Sequence, residues 1–331
     1  MVKANAYGHG MAYTAKSLLS EKELYGFGVA TFSEGVELRL ALKNSRIPIL
    51  IFSDAAPWSE NHAKLCIQYG LEPVFGEIVS LLTYQKSKRY AEINAHVEVN
   101  TGMNRMGIPV DSLPLIRFQP KSVFTHLAIS ENPKDSLTRQ QMSAFADCVE
   151  FVRKKFPRAL LHFANSGAIW RAKEYALTKE MDLVRPGLSL YGVKPYEKAP
   201  GASLKRVMRF TAPVLNRIYL EKGEHVGYGG SYVCKKTSGE WVAIIAAGYA
   251  DGVFRSLGNS GFVVQGKKKF QFLGRVSMDL STIQGAKSLE VGEEVVLWGD
   301  EVDPYEQAGL AGTIPYEITT RMGERVDRVY E

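Results

Sequence analysis

A lysine near the start of the chain, Lys3, lies in a short segment whose composition permits covalent chemistry. The segment reads VKANAYGHG over residues 2–10, so the lysine follows an apolar residue and precedes small, turn-prone residues. A lysine amine forms a Schiff base with an aldehyde cofactor when burial or a neighbouring cation lowers its pKa. Such a lysine alone is more often an ordinary surface residue, so its assignment depends on the rest of the chain.

Further short motifs follow in order along almost the whole sequence. They are TGMNRMG at residues 101–107, THLA at 125–128, HFANS at 162–166, DLVRPG at 182–187, VGYG at 226–229, GYADG at 248–252, GRVSMD at 274–279 and PYE at 315–317. Together with the lysine segment, this series resembles the motifs of the alanine racemase family, whose enzymes use pyridoxal 5'-phosphate. The resemblance implies an enzyme that interconverts L-alanine and D-alanine and supplies D-alanine for peptidoglycan.

Racemisation removes the α-proton from one face of a planar intermediate and returns it to the other face, so it needs one base on each side. The resemblance assigns these bases to Lys3 and Tyr228, and it implies that the tyrosine comes from the second subunit of a homodimer. A phenol, with a reference pKa of about 10, is a poor base at neutral pH without a hydrogen-bonded or cationic neighbour. The resemblance gives that supporting role to His126 and Arg185.

The resemblance also implies which residues bind the cofactor and the substrate. Arg185 would face the pyridine nitrogen, and because a guanidinium stays protonated it would donate a hydrogen bond there without transferring its proton. The ring then remains a weak electron sink, which favours reprotonation over transamination. The phosphate is expected at Tyr7, Ser166, Gly187 and Leu188, the substrate carboxylate at Arg105, Met278 and Asp279, and the access corridor at Tyr249, Arg255, Arg275, Glu131 and His162. No metal site is expected.

Two positions depart from the family pattern. Many members carry a carbamylated lysine seven residues before the arginine that corresponds to Arg105, whereas this chain has Glu98 there. A glutamate supplies the same charge directly, so we expect Glu98 to pair with Arg105. Some members have a tyrosine eight residues after Tyr316, whereas this chain has Glu324, whose carboxylate would repel a phosphate.

The order of the elements predicts how these residues are positioned. Up to about residue 205, eight apolar strand candidates alternate with helical patterns, which favours a parallel (β/α)8 barrel with its active site at the carboxyl ends of the strands. The candidates are residues 2–7, 26–31, 47–52, 72–75, 93–99, 122–127, 160–164 and 183–191. One of the helical patterns spans residues 141–155.

From residue 206 to 331 the pattern changes to short β segments separated by turns that contain glycine. The segments are residues 207–220, 240–247, 261–271 and 294–297, with a short helix at 303–310. We therefore expect a barrel domain over 1–205 that carries the lysine, followed by a mostly antiparallel β domain that carries Tyr228. Family members extend further before the lysine motif, so we expect this sequence to be truncated at its start.

Composition excludes several other classes. The 331 residues are 45% hydrophobic and 23% charged, as in ordinary globular proteins, and the net charge of +6 is dispersed without a nucleic-acid-binding motif. The three cysteines are far apart and suggest reduced thiols in a cytosol. No apolar stretch is long enough to span a bilayer. The expected protein is therefore cytoplasmic and binds neither nucleic acid nor membrane.

Three alternatives remain at this stage. A decarboxylase of the same fold would use a cysteine-bearing motif, and Cys234 does not lie in one. A racemase for serine, lysine or several amino acids would differ only in pocket size, and a methyl-sized difference in fit is worth about 1–3 kcal/mol. A non-catalytic protein that binds the cofactor would have no need of a second base such as Tyr228.

Overall fold

The structure, a computed structural model, describes residues 1–176, 181–199 and 204–331. These divide into two compact units. The first, called here the barrel unit, consists of Met1–Ala6, Gly10–Leu190 and the segment that begins at Lys194. The second, called here the β unit, consists of Tyr7–His9, Tyr191–Val193 and the chain from residue 204 to the end.

The barrel unit contains a parallel sheet whose strands follow the chain order. Its strands are β1 (Phe27–Val29), β2 (Ile49–Ile51), β3 (Leu71–Phe75), β4 (His96–Asn100), β5 (Ile108–Pro109), β6 (Ser122–Phe124) and β7 (Leu160–His162). The pairing order is β1-β2-β3-β4-β6-β7, and β5 pairs only with β4. Nearly all of these strand residues are buried, as expected for a parallel sheet covered by helices.

The predicted first and eighth strands are not formed as strands. Residues 4–7 adopt left-handed backbone angles, and the stretch 183–191 contributes only an isolated bridge between Asn165 and Arg185. Backbone hydrogen bonds nevertheless continue the sheet at both ends. The N–H of Val2 donates to the carbonyl of Gly28 at 2.9 Å, the N–H of Arg185 donates to Ala164 at 2.8 Å, and the Met1 amine donates to Pro186 at 3.0 Å.

The helices of the barrel unit are α1 (Lys3–Tyr7), α2 (Met11–Leu18), α3 (Phe32–Leu42), α4 (Glu60–Tyr69), α5 (Ile78–Lys86), α6 (Ser136–Lys155) and α7 (Ser166–Trp170). From α3 onward each of them begins at a capping side chain. The helix predicted over 141–155 starts five residues earlier, because the side chain of Asp135 accepts the N–H of Leu137 and caps it there. Thr31 and Glu34 form a capping box at the start of α3.

The β unit is built around a closed antiparallel barrel of six strands, in the order β11-β14-β13-β12-β15-β8. The strands of this unit are β8 (Phe210–Leu220), β9 (His225–Val226), β10 (Tyr232–Val233), β11 (Glu240–Ile245), β12 (Phe262–Gln265), β13 (Lys268–Leu273), β14 (Ser281–Gln284) and β15 (Glu294–Trp298). The predicted segment 261–271 is therefore a hairpin, which turns at Gly266 with a φ of 60°. Two helices, α8 (Pro304–Ala311) and α9 (Pro315–Thr320), follow the barrel.

The predicted fold class, a parallel α/β barrel followed by a mostly antiparallel β domain, is confirmed by these topologies. The three cysteines are free and buried. In the segments that the structure describes, no helix combines the length and the apolar composition of a membrane span.

Candidate active site

The lysine segment turns sharply just after Val2. Ala4, Asn5 and Ala6 have φ values of 52°, 51° and 55°, and Tyr7 continues the run at 53°. Left-handed angles cost an ordinary L-residue roughly 1–2 kcal/mol each. Such a run persists only where surrounding contacts determine it, and such strain clusters at functional sites.

Three hydrogen bonds hold this turn in the barrel unit. The side chain of Asn5 accepts the N–H of Met11 at 2.8 Å, and the backbone oxygen of Asn5 accepts the N–H of Gly10 at 2.9 Å. Glu34 accepts the N–H of Ala4 at 2.6 Å. These contacts compensate for the backbone strain beside Lys3.

Glu34 is a positioning residue that the motifs did not single out. Its carboxylate also accepts the N–H groups of Ala30 at 2.7 Å and Thr31 at 3.3 Å, so it links the lysine segment to the start of α3. The signal that could have indicated it is the pattern Thr-x-x-Glu at residues 31–34, which is typical of a capping box.

Lys3 lies in an environment that disfavours its charged form. Burial and the nearby charge of Arg105 lower its pKa below the ordinary lysine value, although Glu34 and Glu98 act in the opposite direction. A lysine with a lowered pKa has a larger neutral fraction, and only the neutral amine attacks an aldehyde.

Arg185 points toward four acceptors inside the barrel unit, two backbone carbonyls and two imidazole rings. One nitrogen, Nη2, donates to the carbonyls of Thr125 at 2.9 Å and Phe163 at 3.2 Å and lies 3.5 Å from Nδ1 of His126. The other, Nη1, bonds to Nδ1 of His162. Burial lowers the pKa of Arg185 to about 10 while Glu98 opposes the shift, so the guanidinium remains protonated at neutral pH.

His126 is neutral at physiological pH. Burial, followed by the charges of Arg185, Arg105 and Lys3, lowers its pKa to about 3. A neutral imidazole accepts a hydrogen bond through one nitrogen and donates through the other. The barrel unit thus places Lys3, His126 and Arg185 close enough for the charges of Lys3 and Arg185 to act on the histidine.

His162 does not line an access corridor. It is 1% exposed and lies at the end of β7, with its ring stacked on Phe124. The corridor assignment was wrong for this residue, because Phe124 covers its ring and its two nitrogens bond to Ser122 and Arg185.

The predicted ion pair between Glu98 and Arg105 is absent from the described part of the chain. Glu98 is 7% exposed in β4, whereas Arg105 is exposed, and the two interact only as charges at a distance. Burial raises the pKa of Glu98, while Arg185, Arg105 and Lys3 each lower it. Glu98 is therefore a shared counter-charge for these three cations.

Ser166, Gly187 and Leu188 lie together in the barrel unit. The hydroxyl oxygen of Ser166 accepts the N–H of Gly187 at 2.9 Å and that of Ser189 at 3.3 Å. All three predicted residues are buried. The Ser166 hydroxyl keeps its own proton available for donation, whereas the N–H of Gly187 is already used.

The β unit presents Tyr228 on an outward turn. This tyrosine is 73% exposed and begins the short 3-10 segment Tyr228–Gly230 between β9 and β10. Gly227 has a φ of 63° and Gly229 of 71°, which glycine adopts without steric cost. A Cβ atom at Gly229 would lie 3.2 Å from the guanidinium of Arg275, a tight contact that a small shift of this side chain would relieve.

The other predicted residues of the β unit are mostly engaged in internal contacts. Asp279 forms an ion pair with Arg325 at 2.7 Å, and Met278, 52% exposed, accepts the N–H of Ala250 through its carbonyl at 3.0 Å. Tyr7 stacks on Tyr191 with ring centroids 5.1 Å apart, and burial raises its pKa to about 12. Glu324 is exposed.

The donors of the barrel unit suit pyridoxal phosphate. A lysine with a lowered pKa can form a Schiff base with the aldehyde. A protonated arginine can donate a hydrogen bond to the ring nitrogen, and a serine hydroxyl can donate one to the phosphate. A metal ion has no corresponding ligand set, since the described residues contain no group of three or more His, Cys, Asp or Glu side chains suited to one.

Family models and curated relatives match nearly the whole chain. The family described as alanine racemase, N-terminal domain, matches residues 1–195, and that described as alanine racemase, C-terminal domain, matches residues 207–330. The alanine racemase of Carboxydothermus hydrogenoformans is 33% identical over 348 residues, covering 100% of this chain and 91% of the relative. That of Rickettsia bellii is 31% identical over 343 residues, covering 99% and 80%.

Solved structures agree with this assignment. Alanine racemase from Bartonella henselae with covalently bound pyridoxal phosphate gives a TM-score of 0.86 at 30% identity, covering 100% of this chain and 91% of that chain. The biosynthetic alanine racemase from Pseudomonas aeruginosa gives a TM-score of 0.83 at 27% identity with the same coverage. The chain therefore belongs to the alanine racemase family of pyridoxal-phosphate-dependent isomerases.

Proposed function

We propose that this protein is an alanine racemase that interconverts L-alanine and D-alanine with pyridoxal 5'-phosphate as cofactor. The observation that carries the proposal is the environment of Lys3, where burial and Arg105 lower the amine pKa beside Arg185 and His126. The names of the relatives support the same reaction. Provision of D-alanine for peptidoglycan, in a bacterial cytoplasm, is the physiological role that we propose with it.

Two bases on opposite faces of the substrate are required, and we assign them to Lys3 and Tyr228. The exposure of Tyr228, at 73%, supports its donation to the site of a second copy of the chain. The protein would then work as a homodimer in which the β unit of each copy completes the partner's site. An exposed side chain on a glycine-rich turn is suited to that role, because its position is fixed by the turn while its hydroxyl stays accessible.

The remaining residues would bind the cofactor and orient the substrate. When bound, pyridoxal phosphate supplies an electron-accepting ring that acidifies the α-proton of the substrate. Arg185 would donate to the ring nitrogen and retain its proton, since its pKa of about 10 keeps it charged at neutral pH. Tyr7, Ser166, Gly187 and Leu188 would hold the phosphate, and Arg105 and Met278 the substrate carboxylate. Asp279 would act through Arg325, which binds its carboxylate.

A racemase for other amino acids, such as serine or lysine, is the second candidate. The same bases would serve any amino acid with an α-proton, and only pocket size would select between substrates. The test for alanine therefore includes serine and lysine as competing substrates. A non-catalytic protein that binds the cofactor is the third candidate, and absence of turnover with all three amino acids would favour it.

The proposal is tested by absorbance and by turnover on the same samples. Purified protein is mixed with pyridoxal phosphate, and we expect a visible band that persists after dialysis and disappears in Lys3→Ala. Lys16→Ala is the matched control, because Lys16 is exposed in the neighbouring helix α2. Formation of D-alanine from L-alanine by the wild type and Lys16→Ala, but not by Lys3→Ala, is the expected result. A stable band in Lys3→Ala, or racemisation by it at the wild-type rate, would contradict the proposal.

A further inference from the structure

A continuous line of hydrogen bonds runs through the interior of the barrel unit and ends at Arg185. Nε2 of His162 lies 3.0 Å from Oγ of Ser122, and the same Oγ lies 2.7 Å from Nδ1 of His96. Nε2 of His96 lies 2.9 Å from Oε2 of Glu72. Exposure is 1% at His162, 0% at Ser122 and His96, and 7% at Glu72, so water does not replace these contacts.

The line spans the sheet from one end of its strands to the other. Glu72 is the second residue of β3, His96 and Ser122 are the first residues of β4 and β6, and His162 is the last residue of β7. In a parallel barrel the chemistry occurs at the carboxyl ends of the strands. Glu72 therefore anchors the line near the end that lies away from the proposed site.

The direction of every bond in the line follows from its two ends. A guanidinium only donates, so Nδ1 of His162 accepts from Arg185 and the ring proton of neutral His162 is on Nε2. That proton is donated to Ser122. An ionised Glu72 only accepts, so His96 donates to it from Nε2. In a neutral His96 ring, Nδ1 then accepts the hydroxyl proton of Ser122.

The charge state of each end agrees with this assignment. Burial raises the pKa of Glu72, but the bond and the charge of His96, the bond from Asn94 and the charge of Lys121 together outweigh it, so the pKa is below its ordinary value. Nδ2 of Asn94 donates a hydrogen bond to the second carboxylate oxygen of Glu72, Oε1, at 2.8 Å. Burial, followed by the charge of Arg185, lowers the pKa of His162 well below its ordinary value.

We propose that Ser122, His96 and Glu72 are positioning residues, which hold His162 in its Nε2–H tautomer and thereby fix the direction of the Arg185 guanidinium. If His162 carried its proton on Nδ1, that proton would face a group that can only donate, and Arg185 would have to turn away. Buried hydrogen-bond chains of this kind polarise each bond in turn and specify one arrangement. The functional consequence rests on the role proposed above for Arg185, whereas the tautomer itself does not.

The tautomer is measured directly by NMR on protein with 15N-labelled histidine, without cofactor. The ring-nitrogen shifts distinguish an Nε2–H imidazole from an Nδ1–H imidazole and from imidazolium, and single histidine substitutions assign the signals. We expect His162 to be neutral with its proton on Nε2 at neutral pH, and His96 to carry a proton on Nε2. An Nδ1–H or doubly protonated His162 in the wild type overturns the proposal.

The coupling along the line is tested with Ser122→Ala, and Ser80→Ala is the matched control. Ser80 is also buried and bonded, to the N–H of Trp58, but lies outside the line. We expect Ser122→Ala to give a mixture of His162 tautomers and to lower kcat by about tenfold or more with little change in KM, because a misdirected group affects the reaction more than binding. Ser80→Ala should leave the His162 tautomer and the kcat unchanged.

The outcomes separate the two proposals. An ordered tautomer in the wild type that is lost in Ser122→Ala supports the positioning line even if the protein does not turn over alanine. An unchanged His162 tautomer in a folded Ser122→Ala variant, or a kcat equal to that of Ser80→Ala in an active enzyme, overturns the inference while leaving the racemase proposal intact.

Discussion

Burial and three cationic side chains together determine the charge state of His126 at the proposed site. Burial lowers its pKa most, and the charges of Arg185, Arg105 and Lys3 lower it further. The identities of these residues could be predicted from short motifs. Their protonation could not, because burial and the summed charge of distant segments depend on the folded chain.

The neutrality of His126 predicts a specific dependence of stability on pH. Its folded pKa of about 3 lies below the ordinary value of 6.5, so as the pH falls from 6.5 toward 3 the unfolded chain takes up a proton that the folded chain does not. The free energy of unfolding should therefore fall over this window, by at most about 1.4 kcal/mol per pH unit from this one group.

Urea unfolding at several pH values, compared between the wild type and His126→Gln, isolates this contribution. Glutamine does not titrate, so as the pH is lowered the wild type should lose more stability than His126→Gln. Parallel profiles for the two proteins would show that His126 does not carry the predicted shift.

At the scale of elements, the turn that carries Lys3 shows where local pattern was misleading. Residues 2–7 follow an apolar start and were predicted as a strand, whereas residues 4–7 are left-handed. The turn depends on Glu34, about thirty residues away along the chain, which binds the N–H of Ala4. A contact of this kind leaves no periodic signal in the segment itself. The helix α6 and the strands β2 to β4 were predicted because their own burial pattern defines them.

The left-handed turn predicts an unusual response to glycine. Ala4 is exposed with a φ of 52°, so Ala4→Gly removes a strain of roughly 1–2 kcal/mol and introduces an unfolded-state entropy cost of about 0.5–1 kcal/mol. The free energy of unfolding should stay unchanged or rise by up to about 1.5 kcal/mol.

The control for this substitution is Ala146→Gly. Ala146 is also exposed but lies in the right-handed helix α6, where glycine costs about 1 kcal/mol. The urea midpoint should therefore fall in Ala146→Gly and stay unchanged or rise in Ala4→Gly, measured side by side. An equal loss of stability in both variants would mean that residue 4 is not left-handed in solution.

At the scale of the whole molecule, the sequence was sufficient to predict the architectures of the two units but not the ends of the parallel sheet. Eight strand candidates predicted a barrel, and six of them form the paired ladder that the structure contains. The first and eighth contribute only isolated backbone bonds, at Val2, Arg185 and Pro186, whose partners are distant in the sequence. The line from Glu72 to His162 was missed for the same reason, because its members lie on four different strands.

A shared site predicts complementation between inactive chains. In a mixture of Lys3→Ala and Tyr228→Phe, each mixed dimer should hold one site with both bases and one site with neither. Random exchange makes half of the dimers mixed, so activity should recover to about a quarter of the wild-type value. Mass spectrometry of the mixture establishes that exchange has occurred. Mixed dimers without recovered activity would argue that both bases come from the same chain.

The most direct test of the central claim is the exchange of the α-proton in deuterated water, followed by NMR with L-alanine and D-alanine supplied separately. The wild type should place deuterium at the α-carbon of both enantiomers. Tyr228→Phe, which retains Lys3 and the cofactor band, should still exchange the proton of one enantiomer but lose exchange of the other, with racemisation slowed by about a hundredfold or more. Exchange of both enantiomers at wild-type rates, or equal loss from both while the cofactor band is retained, would contradict a reaction that uses Lys3 on one face and Tyr228 on the other.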